Sequence, residues 1–273
     1  LINLLLDLLF VIGFGWQVKG VATATLIAEY SGLVIGLTLI VAHFKQKIVG
    51  LFTSTQHLIE RTFEKSALLS YFKLNRDILI RTLCLEVCFI FMTFQGARLG
   101  DNVVAANAIL MNFLLLISFG LDGIANAAEV MVGKAKGQGK QVNILSSVNI
   151  ALFWTGIFAL VYSLLFYLGG QYFISTISSI PEVVEYAQQH MFWIIALPLL
   201  ACWCYLFDGV YVGLMQAAVM RNSMLIATFG CFFPVWWLLK DYENHGLWAA
   251  FSVFMLARGV TLAWHYQRHR YAF

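Results

Sequence analysis

The chain is 273 residues long, 61% hydrophobic and only 11% charged, with a formal net charge of +3 and a mean hydropathy of +0.81. Soluble domains carry roughly 25% charged residues, so these numbers exclude an ordinary water-soluble domain; the net charge itself says little about partners, and no nucleic-acid partner is expected. What matters in such a chain is where its Lys and Arg residues fall, because their distribution sets orientation in a membrane.

A helix crosses a bilayer with about 20 apolar residues, and that criterion yields seven complete spans preceded by the end of an eighth. The sequence opens at Leu1, without an initiator Met or a secretory signal, directly in apolar residues, as expected for part of a longer protein. Residues 1–12 form the first short piece, ending in the Gly-rich turn 13–20, and residues 21–42 form the next span. Residues 43–77 are the one long stretch outside the membrane. Lys45, Lys47, Arg61, Lys65, Lys73 and Arg76 are interleaved there with Leu58, Phe63, Leu68, Leu69 and Phe72, a pattern suited to an amphipathic helix at headgroup level within a linker. Further spans cover 78–99, 103–132, 142–168, 183–216, 223–239 and 247–266. The 183–216 stretch exceeds one bilayer thickness, and Pro198 near its middle predicts a bend.

The basic residues of 45–76, then Lys134, Lys136 and Lys140, then Arg221, then Arg268 and Arg270 fall at alternate span ends, against only Lys19, Arg98 and Lys240 at the others. The positive-inside rule makes the basic loops and the C-terminus cytoplasmic. A faint echo between residues 20–24 and 246–250, each opening a span, fits the repeated architecture of secondary transporters. The five cysteines are an odd count inside apolar runs, so disulfides are not expected. Cys84 and Cys88 share a helix face, but no His or second Cys pair stands at zinc spacing.

An ionisable group in a spanning helix costs at least about 2.5 kcal/mol and demands a partner, a watery cavity or neutralisation. Asp7, Glu29, Arg81, Glu86, Asp122, Glu129, Asp208 and Arg258 are such groups. Asn3 and Asp7 stand one turn apart, and Thr25 in the adjoining antiparallel span reaches the same depth. The three offer hard oxygens to sodium, or one desolvated carboxyl to a proton; the alternative is that Asp7 only caps or bonds a neighbouring helix. Asp122, Asn126 and Glu129 make one polar stripe that must face protein or water, with Glu129 close enough to the basic end to pair with Lys134 or Lys136. Asp208, flanked by Tyr205 and Tyr211 with Met215 beyond, suits lipophilic organic cations through charge and cation–π attraction, or else belongs to a packed aromatic seam. Glu86 either pairs with Arg81 or faces the cavity. Arg258 pairs with an acid elsewhere or snorkels, and no role is assigned to it.

The opening INLLLDLLFVIGFGWQVKGVATATLIAEY resembles the end of the N-terminal lobe of the multidrug and toxic compound extrusion (MATE) transporters. GARLGDNVVAANAILMNFLLLISFGLDGIANAAEVMVGKAKGQGK resembles the first hairpin of their C-terminal lobe, and CYLFDGVYVGLMQAAVMRNSM resembles the DinF-like branch in particular. The resemblance covers essentially the whole chain. It implies an all-α integral membrane bundle of twelve helices, of which 1–42 are the last helices of the N-lobe, 43–77 the interlobe linker and 78–273 the complete six-helix C-lobe. It implies a non-enzymatic antiporter of the inner (plasma) membrane, monomeric and without a bound cofactor or metal, that exports small organic substrates, lipophilic cations foremost, against H+ or Na+. Asn3, Asp7 and Thr25 match the family's N-lobe cation site, and Glu86 and Asp208 match C-lobe acids of some members. The first-helix Asp that completes the N-lobe site would precede Leu1, so the chain by itself is not expected to transport. Asp122, Asn126, Tyr205 and Tyr211 complete the expected substrate cavity. A rival is a lipid-linked precursor flippase, which needs a strongly basic cavity, whereas buried acids outnumber buried bases here. A membrane-embedded enzyme would need a metal or Ser/His motif that the spans do not carry.

Overall fold

The computed structural model describes residues 2–52, 65–139 and 141–271. The helices are α1 (Ile2–Gly13), α2 (Gln17–Phe52), α3 (Lys65–Leu99), α4 (Asp101–Gly137), α5 (Gln141–Ile177), α6 (Pro181–Gln189), α7 (Met191–Gly213), α8 (Ala217–Leu238) and α9 (Glu243–His269), with a 3-10 turn, Lys240–Tyr242, before the last. Six of the described helices are long and apolar enough to cross a membrane: α2, α4, α5, α7, α8 and, with the 3-10 turn, α9. The chain is a multi-pass membrane protein. The span expected at 78–99 lies in α3. Of the expected amphipathic linker helix, Leu58, Arg61 and Phe63 lie outside the described residues; α2 runs on to Phe52 and α3 starts at Lys65.

Two compact units emerge, Leu1–Ser70 and Tyr71–Phe273. In the first, α1 and α2 form a hairpin whose turn is pinned by Phe10 stacked on Trp16 at 5.3 Å and by the Trp16 amide donating to the Phe10 carbonyl at 2.9 Å. Gly20 admits this close turn, since a Cβ there would lie 3.2 Å from both Phe10 and Trp16.

In the second unit, side-chain contacts give the helix directions. Phe113 meets Phe166 and Phe173, while Gly120 sits beneath Tyr162, so α4 and α5 are antiparallel. Ser118 meets Tyr205, and Gly209 and Gly213 touch Ala125 and Glu129, so α4 and α7 run in step. Cys204 meets Met255 and Tyr211 meets His265, which sets α9 parallel to α7. Cys88 meets Thr228 and Phe91 meets Phe232, which sets α8 parallel to α3. Helices α3, α5 and α8 therefore run one way and α4, α7 and α9 the other, with α7 central. Its inner face, from Ile194 through Leu197, Ala201 and Cys204, is fully buried.

The long stretch expected at 183–216 breaks at His190, upstream of Pro198. Proline removes one helical donor, and a spanning helix tolerates this when a neighbour supplies another. The carbonyl that Pro198 leaves without its helical donor is that of Ile194, and Ser163 of α5 donates its hydroxyl to the next carbonyl, Ile195, at 2.7 Å in the same turn. Two π-helical segments were not foreseen, Leu8–Gly13 and Ile226–Phe232. The second precedes Pro234, whose missing N–H leaves the turn before it free to widen.

The polar ends of the second unit are sealed differently. At one end Asp77, buried, accepts from Arg221 at 2.5 Å and from Arg76 at 3.1 Å. Burial pushes the Asp77 carboxyl up, but the hydrogen bonds and charges of the two arginines outweigh it and hold the group below its ordinary 3.8. Lys136 donates to the Leu214 carbonyl, and Gln141 to the carbonyl of Arg270 at 3.4 Å, so the expected basic loops gather at this end.

At the opposite end Asn107, Asn244 and Trp248 form a buried hydrogen-bonded set with distances of 2.8 to 3.0 Å. Beside them the rings of His190 and His245 stack at 4.1 Å. His190 Nδ1 lies 2.9 Å from the Tyr186 carbonyl and therefore carries the proton, while His245 Nδ1 accepts from the Trp193 indole at 3.2 Å and is bare. His190 Nε2 is buried without a partner among the described residues. Burial first, then the neighbouring His245, hold His190 below its ordinary 6.5. The unfolded chain thus binds a proton that the fold refuses, so this contribution to stability is full above about pH 6.5 and is lost on acidification. Thermal stability of the purified protein is expected to fall between about pH 7 and pH 5, and less so in His190→Gln; equal slopes for both proteins would contradict the assignment.

Candidate functional site

Two polar sites stand in otherwise apolar surroundings, one in each unit. In the first unit Asn3 lies one turn before Asp7 on α1, and Thr25 faces them from α2. The Asn3 amide is satisfied with its nitrogen donating to Asp7 Oδ2 at 2.9 Å and its oxygen accepting from the Thr25 hydroxyl at 3.2 Å and the Thr25 amide at 3.3 Å. The structure thus brings Asn3, Asp7 and Thr25 together. Asp7 makes no side-chain cap to the π segment that it precedes, and its Oδ1 is buried with no partner among the described residues. One carboxylate oxygen is held and the other is free, beside two neutral oxygens. Such a group can take a proton, or give oxygen ligands to a small hard cation. The π segment starts at the residue after Asp7, and π turns inside helices frequently mark functional positions.

In the second unit a cavity of about 320 Å3 opens between α3, α4, α7 and α9. From α4 it takes Asp122, Asn126 and Glu129, the polar stripe read from the sequence, together with Ser118. From α3 it takes Arg81, Leu85 and Phe89, from α7 Tyr205 and Asp208, and from α9 Met255 and Arg258. Asp208 Oδ2 accepts from Arg81 at 2.5 Å and from Arg258 at 2.7 Å. Arg258 also points a guanidinium nitrogen at the Met255 sulfur, 3.3 Å away, and its side chain is only 4% exposed. The Tyr205 hydroxyl meets Ser118 at 2.5 Å.

The close approach of α4 and α7 makes this cavity. Gly209 and Gly213 form a small-residue pair one turn apart on α7, and a Cβ on Gly209 would lie 2.2 Å from the Ala125 carbonyl oxygen. Without side chains there, the two backbones meet and carry Asp208 to the wall facing Asp122.

Two residues expected in the cavity lie elsewhere. Tyr211 is fully buried, with its hydroxyl 2.8 Å from His265 Nδ1 and 3.2 Å from the Leu262 carbonyl. Positions three before and three after Asp208 diverge by about 120° around a helix, so Tyr205 reaches the cavity and Tyr211 turns to α9. Glu86 sits on an exposed face of α3. It is five positions from Arg81 and so about 140° around the helix from the face that Arg81, Leu85 and Phe89 present. Arg81 pairs with Asp208 instead. Sequence reasoning missed the double guanidinium clamp on Asp208, although the cost of Arg258 in a span was itself a signal that a carboxylate must meet it.

A family model described as MatE matches residues 78–238, more than half of the chain. The chain belongs to the MatE family. The DNA damage-inducible protein F of Escherichia coli (strain K12) is 36% identical over 269 residues, covering 98% of this chain and 57% of that protein. The Probable multidrug resistance protein NorM of Idiomarina loihiensis is 24% identical over 183 residues, covering 63% of this chain and 39% of that protein. Among solved structures, the Vibrio cholerae MATE transporter VcmN in its bent form matches with a TM-score of 0.77 at 22% identity, over 99% of this chain and 60% of that one. This MatE chain thus has the helical fold of that solved transporter and spans 57% and 39% of the length of the two sequence relatives and 60% of the solved chain.

Proposed function

We propose that the protein is a secondary active efflux transporter that exchanges an organic compound for H+ or Na+, with Asp7 as the coupling carboxyl and Asn3 and Thr25 as its oriented neighbours. The observation that carries this reading is the free, buried Oδ1 of Asp7 beside the Asn3 and Thr25 oxygens. An ionised carboxylate in hydrocarbon is costly, and taking up a proton or a cation relieves that cost. Ion occupancy therefore biases the packing of α1 against α2, which is what coupling between an ion and a conformational equilibrium requires.

The substrate proposed is a lipophilic cation. The second unit's cavity offers Asp122 and Glu129 as carboxylates, Phe89 and Tyr205 as aromatic faces and Met220 and Met255 as polarisable thioethers. Asp208 is already engaged by two arginines and is not the cation's counter-ion. Three carboxylates against two guanidiniums in this cavity weigh against a pyrophosphate-bearing lipid as cargo. We place the basic end of the bundle, with Arg221 and Arg270, on the cytoplasmic side of the plasma membrane.

The test is Asp7→Asn in the full-length protein, reconstituted in proteoliposomes with a proton or a sodium gradient imposed in turn and ethidium as the exported cation. Ion-driven efflux is expected to fall by about 5- to 150-fold, the usual range of a coupling free energy, with monodisperse protein retained. Unchanged efflux under both gradients would overturn the assignment.

A further inference from the structure

The clamp leaves out two carboxyls of the second unit's cavity, Asp122 and, two turns along α4, Glu129. We propose that Asp122 is a second proton-binding group, and that Arg81 passes from Asp208 to Asp122 when that proton leaves and returns when it binds.

Arg81 and Arg258 share Asp208 unequally. Arg258 is buried and doubly fixed, by Asp208 and by the Met255 sulfur. Arg81 touches Asp208 through one nitrogen only, its side chain is 26% exposed, and its Nε is buried with no partner among the described residues. Withdrawal of Arg81 therefore leaves Asp208 still paired, and Arg81 has an unspent donor to bring to a new acceptor. Asp122 lines the same cavity from α4 and forms no ion pair among the described residues.

Every charged or titratable neighbour in this cavity favours an exchange of that kind. Arg81 faces Asp122 from α3, Asp208 and Tyr205 from α7 and Arg258 from α9; Glu129 lies two turns along α4, α8 contributes Met220, and no lining residue comes from α5. With Asp122 ionised, three carboxylates face two guanidiniums, and the surplus negative charge draws the looser cation across. With Asp122 protonated the charges balance and Arg81 rests on Asp208. The ligand is a proton rather than a metal ion, because a proton forms one O–H bond to the carboxyl and needs no coordination shell, whereas a metal ion requires several oxygens arranged around it. The proton comes from water on one side and is returned to water, with no other bond made or broken.

This deepens the antiport reading, yet its test needs neither substrate nor gradient, so either can fail alone. Infrared difference spectra of the purified full-length protein, recorded between about pH 5 and pH 9, report protonated carboxyls by their C=O stretch. A titrating band is expected in the parent and in Asp7→Asn, and its loss is expected when Asp122→Asn is added to either. Arg81→Gln removes the cation that favours the ionised form, so the band is expected to move about one unit or more to higher pH. Should Asp122→Asn fail to fold, Asp122→Glu is expected to keep a titrating band at a shifted midpoint. A band indifferent to Asp122 substitution, or to Arg81→Gln, overturns the proposal. So does loss of the band on adding sodium chloride at constant pH, which would make this a sodium site.

Discussion

Asp208→Asn is expected to destabilise the second unit by about 3 to 5 kcal/mol, the usual cost of stranding one member of a buried ion pair. The carboxylate is the only anion that Arg258 contacts among the described residues, and Arg258 is almost fully buried. Removing it leaves a dehydrated guanidinium beside the Phe254 ring and the Met255 sulfur. The order of the variants carries the argument. Arg258→Met leaves Asp208 with Arg81, and Arg81→Gln leaves it with Arg258, so both should cost less than Asp208→Asn, with Arg81→Gln the mildest because that side chain is part-exposed. The double variant Asp208→Leu, Arg258→Met replaces buried charge by apolar volume and should regain most of the loss. Thermal unfolding in detergent, followed by size-exclusion fluorescence, reads all four. A parent-like melting temperature for Asp208→Asn would mean that Asp208 is not the counter-ion that holds the two arginines.

The same clamp shows what a sequence does and does not disclose. Hydropathy marked Arg81, Asp208 and Arg258 as costly in a span, because that cost is a property of each residue alone. Their pairing is a property of topology: Arg81 and Asp208 are 127 positions apart, and Arg258 and Asp208 are 50 apart. Asn3, Asp7 and Thr25 were legible because their geometry is local. One helical turn joins the first two, and a tight hairpin fixes the depth of the third.

Helix existence was legible for the same reason, while breaks were not. The stretch 183–216 had to break somewhere on length alone, and proline seemed the obvious place. The chain instead broke at His190, where α6 ends and α7 begins. Pro198 stayed inside α7, with Ser163 of another helix bonded to the carbonyl of Ile195 nearby. No pattern within residues 183–216 contains that information. Tyr211 fails similarly, since adjacency to Asp208 in sequence was taken for adjacency in space, and helical geometry turns the two tyrosines about 120° apart.

Gly209→Ala is expected to approach the cost of losing Asp208, although it adds a single methyl group. The new Cβ would lie 2.2 Å from the Ala125 carbonyl oxygen and 2.7 Å from its carbonyl carbon. Both are backbone atoms, which cannot rotate aside, so α4 and α7 must separate along the seam that holds Ser118 to Tyr205 and Asp122 opposite Asp208. Overpacking of a close-packed interior costs about 1 to 3 kcal/mol, occasionally more, and here it also opens the most extensive helix contact of the unit. Gly213→Ala, at 2.6 Å from the Glu129 carbonyl oxygen, should follow with a smaller loss. Gly123→Ala on α4 is the matched control: no atom lies within 4 Å of its Cβ position, and the higher helix propensity of alanine makes it neutral or slightly stabilising. Melting temperatures ranked Gly123→Ala, Gly213→Ala, Gly209→Ala from highest to lowest are the expected result. If Gly209→Ala melts with the control, the two backbones do not meet at this point, and the placement of Asp208 against Asp122 loses its foundation.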